Sequence, residues 1–445
     1  MAGPLDDYQR QVAATGGRLY AGSVSRGLAL AGPQQSLLVL GPPRSGKTCG
    51  VAVPNTIAAP GSVVSTSTKP DVLAATTAAR SRMGRCWLLD PSGSMHAPAG
   101  VEVIRWSPVA SARTWEEALL LARSMTAAAR PAGRMGEAAH WTERAEALLA
   151  PLLHAAHLRG SGMDTVIRWV LRHETDEAAT VLHSDGPRLA ADVLAGIEAT
   201  DPREQSGIWS SAAGVLAAYR SEQVLDRSDR PNFDPARLAA GRDTVYVCAP
   251  ARQQDLIAPI VVAFLDQARA GAFAGTGRHL PLTLVLDELA NIAPIPDLPA
   301  LISEGGSQGV LTVGCLQDLS QARARWGPSA DGFLSLFGAK LVLPGIGDMA
   351  TLDLVSRLGG EIEAPSRSVS RSPWWSRGRG TPTVTWSGHR QRRIPVESVR
   401  QQPAGSAILL NGSEPPVSVR LPPYWAIPAL NPMAERRPPT RTIGR

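Results

Sequence analysis

The chain has 445 residues, enough for about three domains, and 44% hydrophobic against 19% charged residues is a globular balance that excludes a disordered chain. Cys49, Cys86, Cys248 and Cys315 form no C-x-x-C pair, which excludes a disulfide scaffold or cysteine zinc site and suits a reducing, cytoplasmic setting. The formal charge of +6 is uneven: residues 365–445 carry 13 Arg against Glu397, Glu414 and Glu435, a net of +10, which leaves −4 on residues 1–364. The C-terminal fifth is therefore the part that would attract a polyanion.

Ser36–Leu40 (SLLVL) reads as a short buried strand that runs into Gly41-Pro42-Pro43-Arg44-Ser45-Gly46-Lys47-Thr48. A helix should follow, shortened or kinked by Pro54. Ser62–Ser65 reads as a second strand, Asp71–Arg82 as a helix and Arg85–Asp90 as a third strand. Strands alternating with helices predict a parallel sheet covered on both faces. Residues 1–113 are read as the first part of a nucleotide-binding domain.

From Thr114 the pattern is helical throughout. Thr114 and Glu117 have capping-box spacing, and Trp141, Ala145, Leu148, Leu149, Leu152 and Leu153 form an apolar stripe that Pro151 interrupts. Asp164 could cap a third helix, and further helices are predicted over Arg188–Ala199 and Gly207–Gln223. Residues 114–230 read as an all-α insertion domain. Strands return at Thr244–Cys248, Leu282–Leu286, Val310–Cys315 and Lys340–Leu343, so residues 231–364 complete the interrupted α/β domain. Between them, the longest apolar run, Leu256–Leu265, has ten residues against about twenty for a spanning helix. Asp6 and Asp7 precede any apolar core at the N-terminus. No transmembrane segment or signal peptide is therefore expected. Residues 365–445 read as a basic loop or hairpin, then a small β element (Ala407–Asn411 and Val417–Leu421) and a tail.

The segment Gly41–Thr48 fits G-x-x-x-x-G-K-[ST], with a strand before it and a helix after it. Its glycines let successive N–H groups converge on phosphates at a helix N-terminus. Lys47 would add a cation at the β/γ oxygens, and the Thr48 hydroxyl would ligate Mg²⁺. Leu282–Leu286 ends in Asp287 and Glu288. Asp287 would hold the metal shell and Glu288 would orient or deprotonate the attacking water, although an acid at a strand end also commonly caps the next helix. Gln317 follows another apolar strand, where a neutral amide could sense the γ-phosphate or be an exposed loop residue.

Taken together, these motifs resemble the type IV secretion coupling proteins, the conjugative DNA-transfer ATPases of TraG type in the FtsK/HerA branch of RecA-like P-loop ATPases. Besides the P-loop, the resemblance rests on Val53-Pro54-Asn55, Thr68-Lys69, Leu89-Asp90-Pro91, Trp106-Ser107-Pro108 and the segment from His140 to Glu146. It continues through the segments Asp287–Asn291, Cys315–Gln321 and Arg393–Glu397. It implies an α/β, RecA-like fold with a mainly parallel sheet, an all-α insertion and a small C-terminal β element. It further implies ATP and Mg²⁺ as cofactors and a homo-hexameric ring around DNA, with single-stranded DNA as the cargo. The helical insertion would recognise a relaxase–DNA complex or an effector for delivery to a type IV secretion channel.

The sequence departs from the family in two ways. Typical members begin with transmembrane helices; with none read here, either recruitment to the inner face of the plasma membrane comes through a partner or the protein works as a soluble form. The family also often places an arginine before the strand that carries the sensor glutamine, where this chain has Gly306. An arginine supplied in trans is worth ~10³–10⁵ in rate, so its loss predicts slow turnover unless Arg323 or Arg325 substitutes. A nucleotide-binding substrate receptor with little hydrolysis is therefore the alternative. A chromosomal FtsK-type translocase is a third reading, without a winged-helix pattern after Gln317 to support it.

In the basic stretch, Arg367, Arg371, Arg377, Arg379, Arg390, Arg392 and Arg393 interleave with Trp374, Trp375 and Trp386. Arginines suit phosphates and indoles stack on unpaired bases. A solvated connector is the competing reading. His154 and His157 lack a carboxylate arrangement that would complete a metal site, and read as ordinary helix residues.

Overall fold

The computed structural model describes residues 4–25, 27–129, 137–275, 280–370, 383–427 and 430. Its strands in chain order are β1 (Tyr20–Val24), β2 (Gly27–Leu30), β3 (Leu37–Leu40), β4 (Val63–Ser67), β5 (Cys86–Leu89), β6 (Val101–Val103) and β7 (Thr244–Cys248). They continue as β8 (Leu282–Leu286), β9 (Val310–Leu316), β10 (Ala339–Val342), β11 (Glu361–Ser370), β12 (Thr383–Arg392), β13 (Ser406–Asn411) and β14 (Val417–Arg420). Twelve of these form one sheet in the order β2-β1-β14-β13-β10-β3-β9-β8-β4-β7-β5-β6. From β10 to β6 all neighbours are parallel; β13, β14, β1 and β2 extend it antiparallel. The C-terminal strands are thus part of the central sheet. The fold is α/β, with a mixed, mostly parallel sheet.

Both faces of the sheet are covered, which explains why its central strands are continuous apolar runs. In β3, Leu38 and Leu40 enter one core, shared with the helical block, while Leu37 and Val39 enter the core on the opposite face.

The helical block lies between β6 and β7 and includes Trp115–Ala128, Glu137–Leu158, Met163–Arg172, Asp176–Asp185, Arg188–Glu198 and Pro202–Val215. Thr114 and Glu117 form the reciprocal capping box. Pro151 lies inside Glu137–Leu158 without ending it. The predicted helix over Gly207–Gln223 is instead Pro202–Val215 followed by a separate short turn, Ala217–Arg220. It starts earlier because Asp201 accepts the Arg203 N–H as its cap and Pro202 occupies the first turn. Nor is Asp164 a cap: it falls in the first turn of a helix that begins at Met163. His154 Nδ1 and His157 Nδ1 each lie 3.0 Å from a backbone carbonyl, of Ala112 and Val109 respectively, and so fasten the long helix to the segment after β6.

Among the described residues, one helix, Gln254–Ala274, is long and apolar enough to cross a membrane. It is a core element here, with Val261 and Phe264 fully buried.

Arg80, at the end of the helix Asp71–Arg80, is fully buried. Its Nε donates to Thr244 Oγ1 at 2.7 Å, Nη1 to the Ala59 carbonyl at 2.6 Å, and Nη2 to the Gly61 and Arg242 carbonyls at 2.7 and 3.0 Å. Burial lowers its pKa to about 10, so it remains charged at neutral pH. The planar fork joins the helix to the entry ends of β4 and β7, and a buried carbonyl left unpaired costs about 1–3 kcal/mol. Arg80→Leu is therefore expected to lower unfolding stability in urea by at least ~2 kcal/mol, with Arg80→Lys recovering only part. A loss below ~0.5 kcal/mol would refute this role.

Candidate functional site

The site is built on adjacent strand ends. β9 lies between β3 and β8, with Leu40 opposite Leu316 and Leu286 opposite Gly314. The Gly41 N–H donates to the Leu316 carbonyl at 3.1 Å, so the loop leaves β3 alongside the end of β9. Parallel pairing puts all three carboxyl ends on one edge, where open α/β sheets bind ligands.

The loop after β3 turns through Arg44 at φ +64° and Gly46 at φ +98°, both left-handed. A side chain on Gly41 would place Cβ 2.6 Å from Ser45 Oγ and 2.9 Å from Leu343 Cβ, so glycine is required there by space. Lys47 is only 8% exposed; its ammonium donates to the Gly41 carbonyl at 2.5 Å and the Pro42 carbonyl at 3.0 Å. Ser45 Oγ is buried with no hydrogen-bond partner.

Thr48 opens the helix that follows, and its hydroxyl donates to Asp287 Oδ2 at 2.7 Å. Thr66, in β4, donates its hydroxyl to the Asp287 backbone carbonyl at 2.9 Å and so fixes the end of β8. Glu288 is left-handed at φ +58°, ψ +45°, and accepts from Asn291 Nδ2 at 3.2 Å. A non-glycine residue in that region costs on the order of 1 kcal/mol and such strain clusters at active sites. Burial pushes the Asp287 carboxyl above the usual carboxylate range, partly offset by the Thr48 hydroxyl and the Lys47 charge. Glu288 is also raised, by burial first and then by the neighbouring Asp287 charge.

These groups line a cleft of about 760 Å³. Pro43, Arg44, Gly46, Lys47, Thr48, Asp287 and Glu288 are on its walls. Gln317 directly follows β9, between the other two strand ends, and its N–H donates to Gln321 Oε1 at 2.9 Å; its side chain is not among those lining the cleft. Lys69 and Asp71, beyond β4, and Tyr424 and Trp425, after β14, also line it. The sequence reading assigned none of these four a site role. The position of β4 beside β8 would have been the signal for the first pair.

The donors fit a nucleotide with Mg²⁺. A hydroxyl and a carboxylate 2.7 Å apart are hard oxygen ligands of the kind magnesium takes, and an unpartnered serine hydroxyl with a lysine lies in the adjoining loop.

At Gly306, where the family resemblance leads one to expect an arginine, a Cβ would lie 1.9 Å from the Gln34 carbonyl oxygen. No side chain fits without backbone movement. Arg323 pairs with Asp331 and Asp348 at 3.6 and 3.5 Å, and Arg325 donates to the Ala128 carbonyl at 2.5 Å. Both are engaged within their own chain.

Trp374, Trp375, Arg377 and Arg379 lie outside the described residues. Arg392 is held by Asp353 at 2.6 Å, which ties the base of the β11–β12 hairpin to the helix Met349–Leu358. Arg393 and Arg390 are exposed, and Trp386 on β12 is 66% exposed.

The family model described as Type IV secretory system Conjugative DNA transfer matches residues 6–439. Among solved structures, the chain is similar to the unbound bacterial conjugative coupling protein TrwBdeltaN70, at TM-score 0.72 and 19% identity over 97% of this chain and 93% of that one. It is also similar to TrwB in complex with ADP and Mg²⁺, at TM-score 0.64 and 19% identity over 88% and 86% of the two chains. No curated protein sequence matches the chain.

Because burial raises the folded-state pKa of Asp287 above its unfolded value, ionisation at neutral pH costs stability that is retained at acid pH, below the unfolded pKa. Asp287→Asn still accepts from Thr48 and is expected to raise the Tm of the nucleotide-free protein at neutral pH, by an increment that shrinks on acidification. It should also abolish the extra stabilisation that Mg²⁺ adds to bound ADP. A lower Tm at neutral pH would refute the first expectation, and an unchanged Mg²⁺ effect the second.

Proposed function

The chain belongs to the type IV secretory system conjugative DNA transfer family, and from that membership we propose that it is an ATP-driven coupling protein that moves DNA, as a single strand, towards a secretion channel. The observation that carries the ATPase part is the 2.7 Å hydrogen bond from Thr48 to Asp287, which joins the phosphate loop to an acid 239 positions away.

The geometry of the cleft supports the following roles. The loop amides and Lys47 bind the β- and γ-phosphates, with Gly41–Thr48 wrapping them. Thr48 and Asp287 would hold Mg²⁺, which neutralises charge on the phosphates when bound. Glu288, whose carboxyl burial pushes above the usual carboxylate range, orients water and accepts its proton. Gln317 reports the nucleotide state through the end of β9. We assign the helical block to recognition of a relaxase–DNA complex or an effector. The subunits form a hexameric ring in the cytoplasm, recruited to the inner face of the membrane by channel components.

Gly306 favours a second reading, a nucleotide-dependent substrate receptor with little hydrolysis, because the position is closed to an arginine. Steady-state ATP hydrolysis with and without single-stranded DNA separates the two. The motor reading expects DNA-stimulated turnover that falls at least ~100-fold in Lys47→Ala; nucleotide binding with no turnover above that variant would establish the receptor. In either case Gly306→Arg is expected to lower the Tm without raising hydrolysis, and a stable variant with faster turnover would contradict the steric argument.

A further inference from the structure

The cleft has an apolar wall that neither phosphate nor metal binding uses. Leu421 follows β14 directly and is buried, and its carbonyl oxygen lies 3.5 Å from where a Cβ on Gly50 would stand. The C-terminal chain therefore passes directly behind the turn that follows the phosphate loop. Pro422 and Pro423 stiffen the exit, and Tyr424–Ala426 makes one tight helical turn closed by the Ala426 N–H to the Pro423 carbonyl at 2.8 Å. That turn puts Tyr424 and Trp425 on the cleft. Tyr424 packs against the core, and its ring meets Trp425 edge-on at 5.0 Å and 80°. The indole is thereby buttressed while 55% of Trp425 remains exposed. Ala74, Ala75 and Val53 give the same cleft further apolar surface.

A buttressed, half-exposed indole in a cleft whose polar end suits phosphates has the chemistry of a base platform. We propose that Trp425 stacks on the nucleobase of the bound nucleotide and that Tyr424 positions it. The C-terminal segment thus completes the nucleotide site. This inference rests on the nucleotide reading of the phosphate loop. Stacking uses the π-face, so ADP and GDP should depend on Trp425 alike.

The test is titration calorimetry on the full chain with Mg²⁺ and either ADP or inorganic tripolyphosphate, which carries phosphates and no base. Trp425→Ala is expected to weaken ADP about tenfold and tripolyphosphate by less than about twofold, with Trp425→Tyr restoring most of the ADP affinity. Unchanged ADP affinity, or equal loss for both ligands, would overturn the proposal. Lys47→Ala tests the underlying reading separately: it should weaken both ligands, and no effect on either would remove the nucleotide site itself.

Discussion

The hydrogen bond between Thr48 and Asp287 depends on strand order more than on either residue. β3 and β8 are not neighbours; β9 lies between them, and the parallel register brings all three ends to one level. The loop after β3 must then rise and fold back over the end of β9 to reach the acid. Left-handed backbone at Arg44 and Gly46 turns this loop within a few residues, and left-handed Glu288 turns the chain after β8. Rigid strands buried on both faces hold the two ends in place, and preorganisation of this kind is what phosphoryl transfer asks of a protein.

Contacts also run from this edge to the helical block. Gln321, which accepts from the Gln317 backbone, shares the helix Leu319–Trp326 with Arg325, which donates to the Ala128 carbonyl at the end of Trp115–Ala128. Asn291, the partner of Glu288, lines the same cavity of about 470 Å³ as Gln321, Arg325 and Ala128. The elements that position Glu288 and the end of β9 are therefore the ones that face the helical block.

Much of this architecture was legible because burial on both faces leaves uninterrupted apolar runs: β7 and β8 occupy the predicted spans residue for residue. The motif Gly41–Thr48 and the pair Asp287-Glu288 were legible for the same reason, each closing such a run. β1, β2 and β6 gave little signal. They lie towards the sheet margins, contain glycines or only three residues, and owe their pairing to strands far away in sequence. The closure of position 306 was equally hidden, since its obstacle is the carbonyl of Gln34. Tyr424 and Trp425 read as tail residues until the path of Leu421 past Gly50 placed them on the cleft.

The proposed site requires Thr48 and Asp287 to act through one shared ion. A double-mutant cycle on Mg²⁺-dependent ADP affinity, with Thr48→Ala, Asp287→Asn and both together, addresses it directly. Residues sharing one ligand should couple by about 1 kcal/mol or more, so that the second substitution costs little after the first. Losses that add to within ~0.3 kcal/mol would mean that the two groups act separately, and would contradict the account.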